Sequence, residues 1–266
     1  MGRKLRYIFH TLYLAVLLTS GSAFAHNTDI PEFASKICGI TPADTVAVVP
    51  TGITALPDYA FADCTNLRRV ELPSSLRKIG DYAFLGCTGL RDITLPSSVA
   101  QIGEGAFREC SSLQSIAIPT KVTVVPRYMC AWCSDLRQVS LPSGLKDIGS
   151  HAFAYCGSLD GISIPGRVAH IGSNAFSFCS SLSEITLPVS ITELESYAFS
   201  DCSSLRKAVL PPNDKMLGEY LFTGCTALEE VVCMSPKRPT FDCDSPFFDP
   251  SEKLQIRYVT PAAWSW

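Results

Sequence analysis

The sequence predicts a solenoid, a β-rich α/β coil whose short units stack one turn at a time around a continuous core. Two ladders carry that prediction. Cysteine recurs every 23 residues at Cys64, Cys87, Cys110, Cys133, Cys156, Cys179, Cys202 and Cys225. Proline keeps the same step at Pro50, Pro73, Pro96, Pro119, Pro142, Pro165, Pro188 and Pro211. Between the ladders, Ile93 and Leu95 alternate with polar Asp92 and Thr94, the period of two that marks a half-buried strand. A fixed period of this length means that each unit buries its apolar face against its neighbours.

In such a stack, chain length counts rungs rather than domains. The 266 residues are 47% hydrophobic and 18% charged, with a net charge of −3. There is no long basic or acidic run, so neither nucleic acid nor an anionic membrane surface is an expected partner.

Residues 1–25 read as a secretory signal peptide rather than as part of the fold. Arg3, Lys4 and Arg6 supply a positive start, an apolar stretch runs over 12–18, and Ala23-Phe24-Ala25 has the small-x-small form of a cleavage site. An N-terminal membrane anchor is the alternative. Beyond Ala25 no stretch is long enough to span a bilayer, so the mature protein is expected to have no integral membrane segment. It is expected to be exported, to the periplasm, the cell surface or the medium.

Residues 26–43 look irregular and polar, and are expected to cap the open end of the stack. The solenoid is expected over 44–233. A partial rung comes first, with Val46-Ala47-Val48-Val49 as its strand. Eight full units follow. In the second, Leu76 and Ile79 are apolar at a spacing of three and Gly80 permits a sharp bend. Ala83 and Phe84 then enter the core within a short helical turn that Cys87 closes. Leu90, Ile93 and Leu95 form the strand, and Pro96 ends it because proline cannot donate to a ladder. The strands are expected in parallel register on one face, with helical turns opposite.

A phenylalanine column follows from the same register: Phe61, Phe84, Phe107, Phe153, Phe176, Phe199 and Phe222. The fourth unit breaks it with Cys130, and also carries Met129 for alanine and Val125-Pro126 for Ile-Gly. The last unit begins Pro211-Pro212-Asn213-Asp214 where others read Pro-Ser-Ser-Leu. After Cys233 the period is lost, and 234–266 is read as a C-terminal cap.

The unit Leu-Pro-Ser-Ser-Leu-x-x-Ile-Gly-x-x-Ala-Phe-x-x-Cys-x-x-Leu-x-x-Ile resembles the BspA-like leucine-rich repeats of bacterial surface proteins. Leu90-x-x-Ile93-x-Leu95 is its strand. The common leucine-rich repeat would place an asparagine ladder after the strand, whereas here that column reads Ser75, Ser98, Lys121, Gly144 and Arg167. The resemblance implies a right-handed superhelix, export or surface display, and adhesion to host matrix proteins or other microbes. It brings no active site, so function has to be argued from the surface.

Cysteine is the first chemistry to weigh. The eight ladder thiols fill a core column, where free cysteine behaves as a small hydrophobe. In-register neighbours about 4.8 Å apart exceed the Cβ separation of about 3.8 Å that a disulfide needs. A buried, reduced ladder is therefore expected. Cys130-Ala131-Trp132-Cys133 has the C-x-x-C form of redox or zinc sites, yet both cysteines fill core columns and no histidine pair is near in sequence. No metal and no cofactor are expected. Cys233 and Cys243 are left open as a staple of the C-terminal cap. His26, His151 and His170 sit in no nucleophile or metalloprotease motif, so no enzyme is expected.

Two surface columns remain as candidate ligand-binding positions. On the strand face, the residues between the core positions include Thr94, Ser140, Ser163 and Thr186, short hydroxyls that a partner could approach closely. Exposed sheets also favour Ser and Thr for their own sake. The second column, one residue before each ladder cysteine, reads Asp63, Gly86, Glu109, Trp132, Tyr155, Phe178, Asp201 and Gly224. Five members are charged or glycine, so the position is expected to face solvent. Trp132, Tyr155 and Phe178 should then form an exposed strip rimmed by Glu109 and Asp201. A protein ligand is the leading reading. A glycan held on the strip, or a structural role in an envelope complex, is the alternative. The strip could equally be covered by the C-terminal cap or a second copy. A further column, Tyr59, Tyr82, Tyr128, Tyr197 and Tyr220, is expected to be half-buried packing.

Overall fold

In the computed structural model, residues 31–212, 217–234 and 254–259 are described. The signal peptide read at 1–25, Cys243, and most of the C-terminal cap lie outside these residues. Within them, the 23-residue step becomes three stacked runs per rung.

The first run is the expected strand. Val46–Val48, Arg69–Glu71, Asp92–Ile93, Ser115–Ala117 and Gln138–Ser140 form a five-stranded parallel sheet in sequence order. Register holds to the residue, with Val70 opposite Ile93 and Ile116 opposite Val139. The fifth unit supplies no strand at 161–164, where Gly161 withdraws a side chain that would pack a ladder. The sheet resumes with Glu184–Thr186, Lys207–Leu210 and Glu230–Cys233. Each Pro-Ser-Ser-Leu segment is a tight turn: the Leu76 amide donates to the Pro73 carbonyl at 3.0 Å, and Val99 to Pro96 likewise.

The second run is a set of two-residue strands where the sequence showed only a bend. Ala55–Leu56, Lys78–Ile79 and Gln101–Ile102 make one parallel sheet. Val124–Val125, Asp147–Ile148, His170–Ile171 and Glu193–Leu194 make another. In most rungs the following amide ties one turn to the last, as in Gly103 to the Ile79 carbonyl at 2.9 Å and Gly149 to Val125 at 2.8 Å. Pro126 has no N–H to offer Ile102, and the ladder breaks there.

The third run corrects the expected helical turns. No helix forms there. Instead the chain makes consecutive turns with two left-handed residues in each rung, such as Tyr59 and Asp63, both at φ 57°. The amides of Tyr59, Phe61 and Asp63 donate to the carbonyls of Asp81, Ala83 and Leu85 in the next rung, at 2.9, 2.7 and 2.7 Å. A helix would use such amides within its own turn. The alternating backbone directs them along the stack and makes this face a third inter-rung ladder.

The core runs the length of the coil. Phe61, Phe84 and Phe107 stack with centroids 5.2 Å apart and planes within 5°. Phe153, Phe176 and Phe199 continue at 5.4 and 5.3 Å. All eleven cysteines of the described residues are free thiols, and the ladder members are buried. Each has a specific partner from Cys87 onward: its thiol donates to the carbonyl of the phenylalanine-column residue one rung back, as in Cys87 to Phe61 at 3.0 Å and Cys179 to Phe153 at 3.2 Å. Most of these carbonyls also accept an amide of their own rung, as Phe61 does from Cys64 at 3.2 Å, so the thiol is a second donor to the acceptor's other lone pair and ties one rung to the next. Burial pushes the Cys179 thiol up to about 12, so that group is not a nucleophile at neutral pH.

Part of the N-terminal segment, within the described residues from 31 onward, is regular where irregularity was expected. Phe33–Ile37 forms a π-helical turn with Ala34 buried, and Phe33 meets Phe61 edge-on at 5.7 Å, closing the aromatic column. At the other end, Gln255–Tyr258 adds a further parallel strand, with Gln255 opposite Glu230, a step of 25 rather than 23.

Candidate functional site

The aromatic strip forms on the third run, at the second left-handed position of each rung. Trp132, Tyr155 and Phe178 have φ of 63°, 62° and 59°. Their backbones are locked by the inter-rung ladder, with the Trp132 amide on Ala154, Tyr155 on Ser177 and Phe178 on Ser200 at 2.8, 2.8 and 2.9 Å. Register and backbone together superpose the side chains. Trp132 and Tyr155 stack at 5.0 Å and 7°, and Tyr155 and Phe178 at 4.4 Å and 6°.

The strip is half-buried, not exposed as the charged and glycine members of its column suggested. Those residues answer to a different demand. Asp63, Gly86, Asp201 and Gly224 all have positive φ, which Gly tolerates freely and Asp better than most. Their presence reports backbone shape before contact with water: Asp63 is exposed, but Gly86 is buried and Asp201 and Gly224 are half-buried. The rings cover one another's faces, and the residues before them, Ala131, Ala154 and Ser177, are small and buried, so what the stack turns to solvent is chiefly ring edges.

One residue that borders the strip was not singled out from the sequence. Arg108 places its guanidinium 4.7 Å from the Trp132 ring centre and 5.7 Å from that of Tyr128, and its Nε is 3.1 Å from Glu109 Oε1. It covers the outer face of Trp132 with a cation. Its column reads Ala62, Leu85, Arg108, Ala131, Ala154, Ser177, Ser200 and Thr223, so a lone charge among small residues was the available signal. Glu109 therefore holds Arg108 rather than standing free as a rim. Beside it, Tyr128 stacks on His151 at 4.7 Å. Burial, then the nearby Arg127 and Arg108, push His151 down to about 4, so it is neutral at pH 7.

The tyrosine column occupies the first left-handed position and stacks in pairs, Tyr59 on Tyr82 at 5.3 Å and Tyr197 on Tyr220 at 5.0 Å. Tyr82, Tyr128 and Tyr220 are half-buried, whereas Tyr59 and Tyr197 are exposed. On the strand face, Thr94, Ser140, Ser163 and Thr186 are exposed, but far from the strip in each rung's path. That column then changes character: Val209 is half-buried and Val232 buried, so valine replaces hydroxyl where the face is covered. Among the described residues no helix is long and apolar enough to cross a membrane.

Comparison with known proteins follows the same repeat. The profile of the BspA type leucine rich repeat region matches in six copies over residues 43–160 and 146–238. Comparison with curated proteins gives no match. Among solved structures, a leucine rich cell surface protein from Faecalibacterium prausnitzii is 27% identical over 74% of this chain and 68% of its own, with a TM-score of 0.55. A leucine-rich repeat protein from Bacteroides ovatus is 25% identical over 82% of this chain and 66% of its own, with a TM-score of 0.56. The chain thus spans about two thirds of the length of each of these relatives.

Proposed function

Because the chain belongs to the BspA-type leucine-rich repeat family, we propose that it is a non-catalytic, exported interaction module that binds a protein ligand through the turn face of its solenoid. The observation that carries this reading is the stack of Trp132, Tyr155 and Phe178, capped by Arg108. Left-handed backbone costs a bulky L-residue roughly 1–2 kcal/mol, a cost that Gly86 and Gly224 avoid at the same position. Three consecutive rungs nonetheless place large rings there, and aromatic and arginine side chains are the usual anchors of protein interfaces. The rings' edges and the Arg108–Glu109 pair offer a partner apolar contact flanked by charge. A sugar ring needs an open aromatic face to lie on, and the strip offers edges, so the protein reading is favoured over the glycan one.

The test is an array of matrix and microbial surface proteins, with glycans alongside, probed with wild-type chain. Trp132→Ala with Tyr155→Ala should then weaken any ligand found by about tenfold or more. Loss of the stack also lowers stability by about 0.5–1.5 kcal/mol per ring pair, so Phe176→Leu in the core serves as a folded, destabilised control that keeps binding. A double variant that binds as wild type does would reject the site.

A further inference from the structure

The second sheet carries a departure from the repeat that neither the family nor the aromatic strip accounts for. A glycine follows its short strand, or at Leu217 a single bridge, in most rungs: Gly80, Gly103, Gly149, Gly172 and Gly218. Close approach of the rungs demands it, since a Cβ on Gly172 would meet the Ser150 amide nitrogen at 2.5 Å and one on Gly149 the Arg127 nitrogen at 2.7 Å. In one rung the position is Glu195. Its carboxylate folds back over the preceding turn, where Oε2 accepts the Ser173 N–H at 2.7 Å and the Ser173 hydroxyl at 2.6 Å.

That leaves Oε1 aimed at His170 Nε2, 3.0 Å away. Parallel register puts Glu193 directly beside His170, and one ligand atom from each of His170, Glu193 and Glu195 lies within 4.8 Å of the others. On the opposite side, Asp147 is in register with His170, and its Oδ1 is 3.8 Å from Nδ1. Among the described residues, no lysine or arginine ion-pairs with these three carboxylates.

We propose that His170, Glu193 and Glu195 bind one divalent transition-metal ion of the zinc class. The imidazole nitrogen and two carboxylates are the donor types that zinc takes, at about 2.0–2.2 Å. Two ligands of one ion at such lengths lie at most about 4.4 Å apart, so the cluster closes with a small swing of the exposed Glu193. Calcium, which takes about six to eight oxygens, is poorly served by a nitrogen and two carboxylates. The arrangement around the ligands points the same way. A zinc-bound histidine commonly offers its second nitrogen to a carboxylate, and here the second nitrogen faces Asp147. Glu195 is likewise held by both Ser173 donors, so two of three ligands are oriented before an ion arrives. Three protein ligands leave room for water or for a partner's side chain.

Calorimetric titration of chelator-stripped chain with zinc chloride, manganese chloride and calcium chloride tests the site. One zinc per chain is expected, with manganese weaker and calcium without measurable binding. Glu195→Gly restores the residue that five other rungs carry, so it should fold. Glu193→Gln alters an exposed side chain only. Both should weaken zinc binding by about tenfold or more, and Asp147→Asn, which touches no ion, by about tenfold. A wild-type chain that fails to saturate at one zinc overturns the proposal. So does zinc bound equally tightly by Glu195→Gly and Glu193→Gln, which would place the ion on Cys38 or elsewhere.

Discussion

The fourth rung offers the sharpest test of how the core is filled. Everywhere else the core pair is Ala-Phe, or Leu221-Phe222 at the last rung, but here it is Met129-Cys130, and both residues are fully buried. Our reading is that methionine fills from the alanine column the volume that the missing ring vacates in the phenylalanine column. The single changes toward the repeat should then both fail. Met129→Ala leaves a cavity, costing about 2–5 kcal/mol. Cys130→Phe forces a ring into occupied space, costing about 1–3 kcal/mol. Made together they restore Ala-Phe at nearly constant volume, and the new ring lies between Phe107 and Phe153. Two ring pairs are regained, each contributing about 0.5–1.5 kcal/mol.

The double variant should therefore be at least as stable as wild type, although its parts sum to a loss of about 3–8 kcal/mol. The coupling is thus at least about 3 kcal/mol, at the top of what contacting residues show. Denaturant unfolding of the four proteins measures it, with the slope m checked for constancy. A double variant within about 0.5 kcal/mol of the summed singles would refute complementary filling, because independent sites add to that precision.

Three further outcomes follow from the core and the strip. Alkylation of the denatured, unreduced chain should label at least the eight ladder thiols by mass, whereas the native chain should resist because the thiols are buried and Cys64 and Cys179 are pushed up to about 12; fewer than six labelled on denaturation would mean disulfides. In the ring column, Phe84→Ala should cost more than Phe153→Ala by about 0.5–1.5 kcal/mol, since Phe84 stacks on two rings and Phe153 on Phe176 alone; equal losses in denaturant melts would count against ring stacking. His151, held at about 4 against 6.5 in the unfolded chain, binds fewer protons when folded, so its contribution is complete above pH 6.5 and lost as pH falls toward 4. The unfolding midpoint of wild type minus His151→Asn should fall across that window, and a flat difference would show that His151 is freely hydrated.

How much of this was legible in the sequence depended on what each signal reports. The 23-residue ladders located every core column, because in-register stacking leaves a column no freedom to drift. The two-residue strands of the second run were invisible: two residues cannot display a period of two. The interruption at Pro126 was visible as a departure, and its consequence follows from one missing N–H. The regular turn at 33–37 escaped for lack of a repeat to compare it with; it packs through buried Ala34 and through Phe33, which reaches the end of the ring column. Glu195 was equally visible as a break in the glycine column, but its meaning required knowing that His170 stands one rung away on the same face.

The strip shows how a column can be read correctly for place and wrongly for environment. Gly86, Gly224, Asp63 and Asp201 look like a solvent-facing position because those residues are common on surfaces. They are also the residues that accept positive φ, and every member of the column has it. The parallel column supplies the control: Gly105 and Asn174 stand among tyrosines that stack, again at positive φ, and there too the small residues mark shape. Backbone demand explains Gly and Asp, the ion pair with Arg108 accounts for Glu109, and the residues before the three rings, Ala131, Ala154 and Ser177, are small and buried. Arg108 closes the same argument from the other end. A long cation in a small-residue column has no room inside, so it turns outward over the first ring, and Trp132 is the ring that meets it.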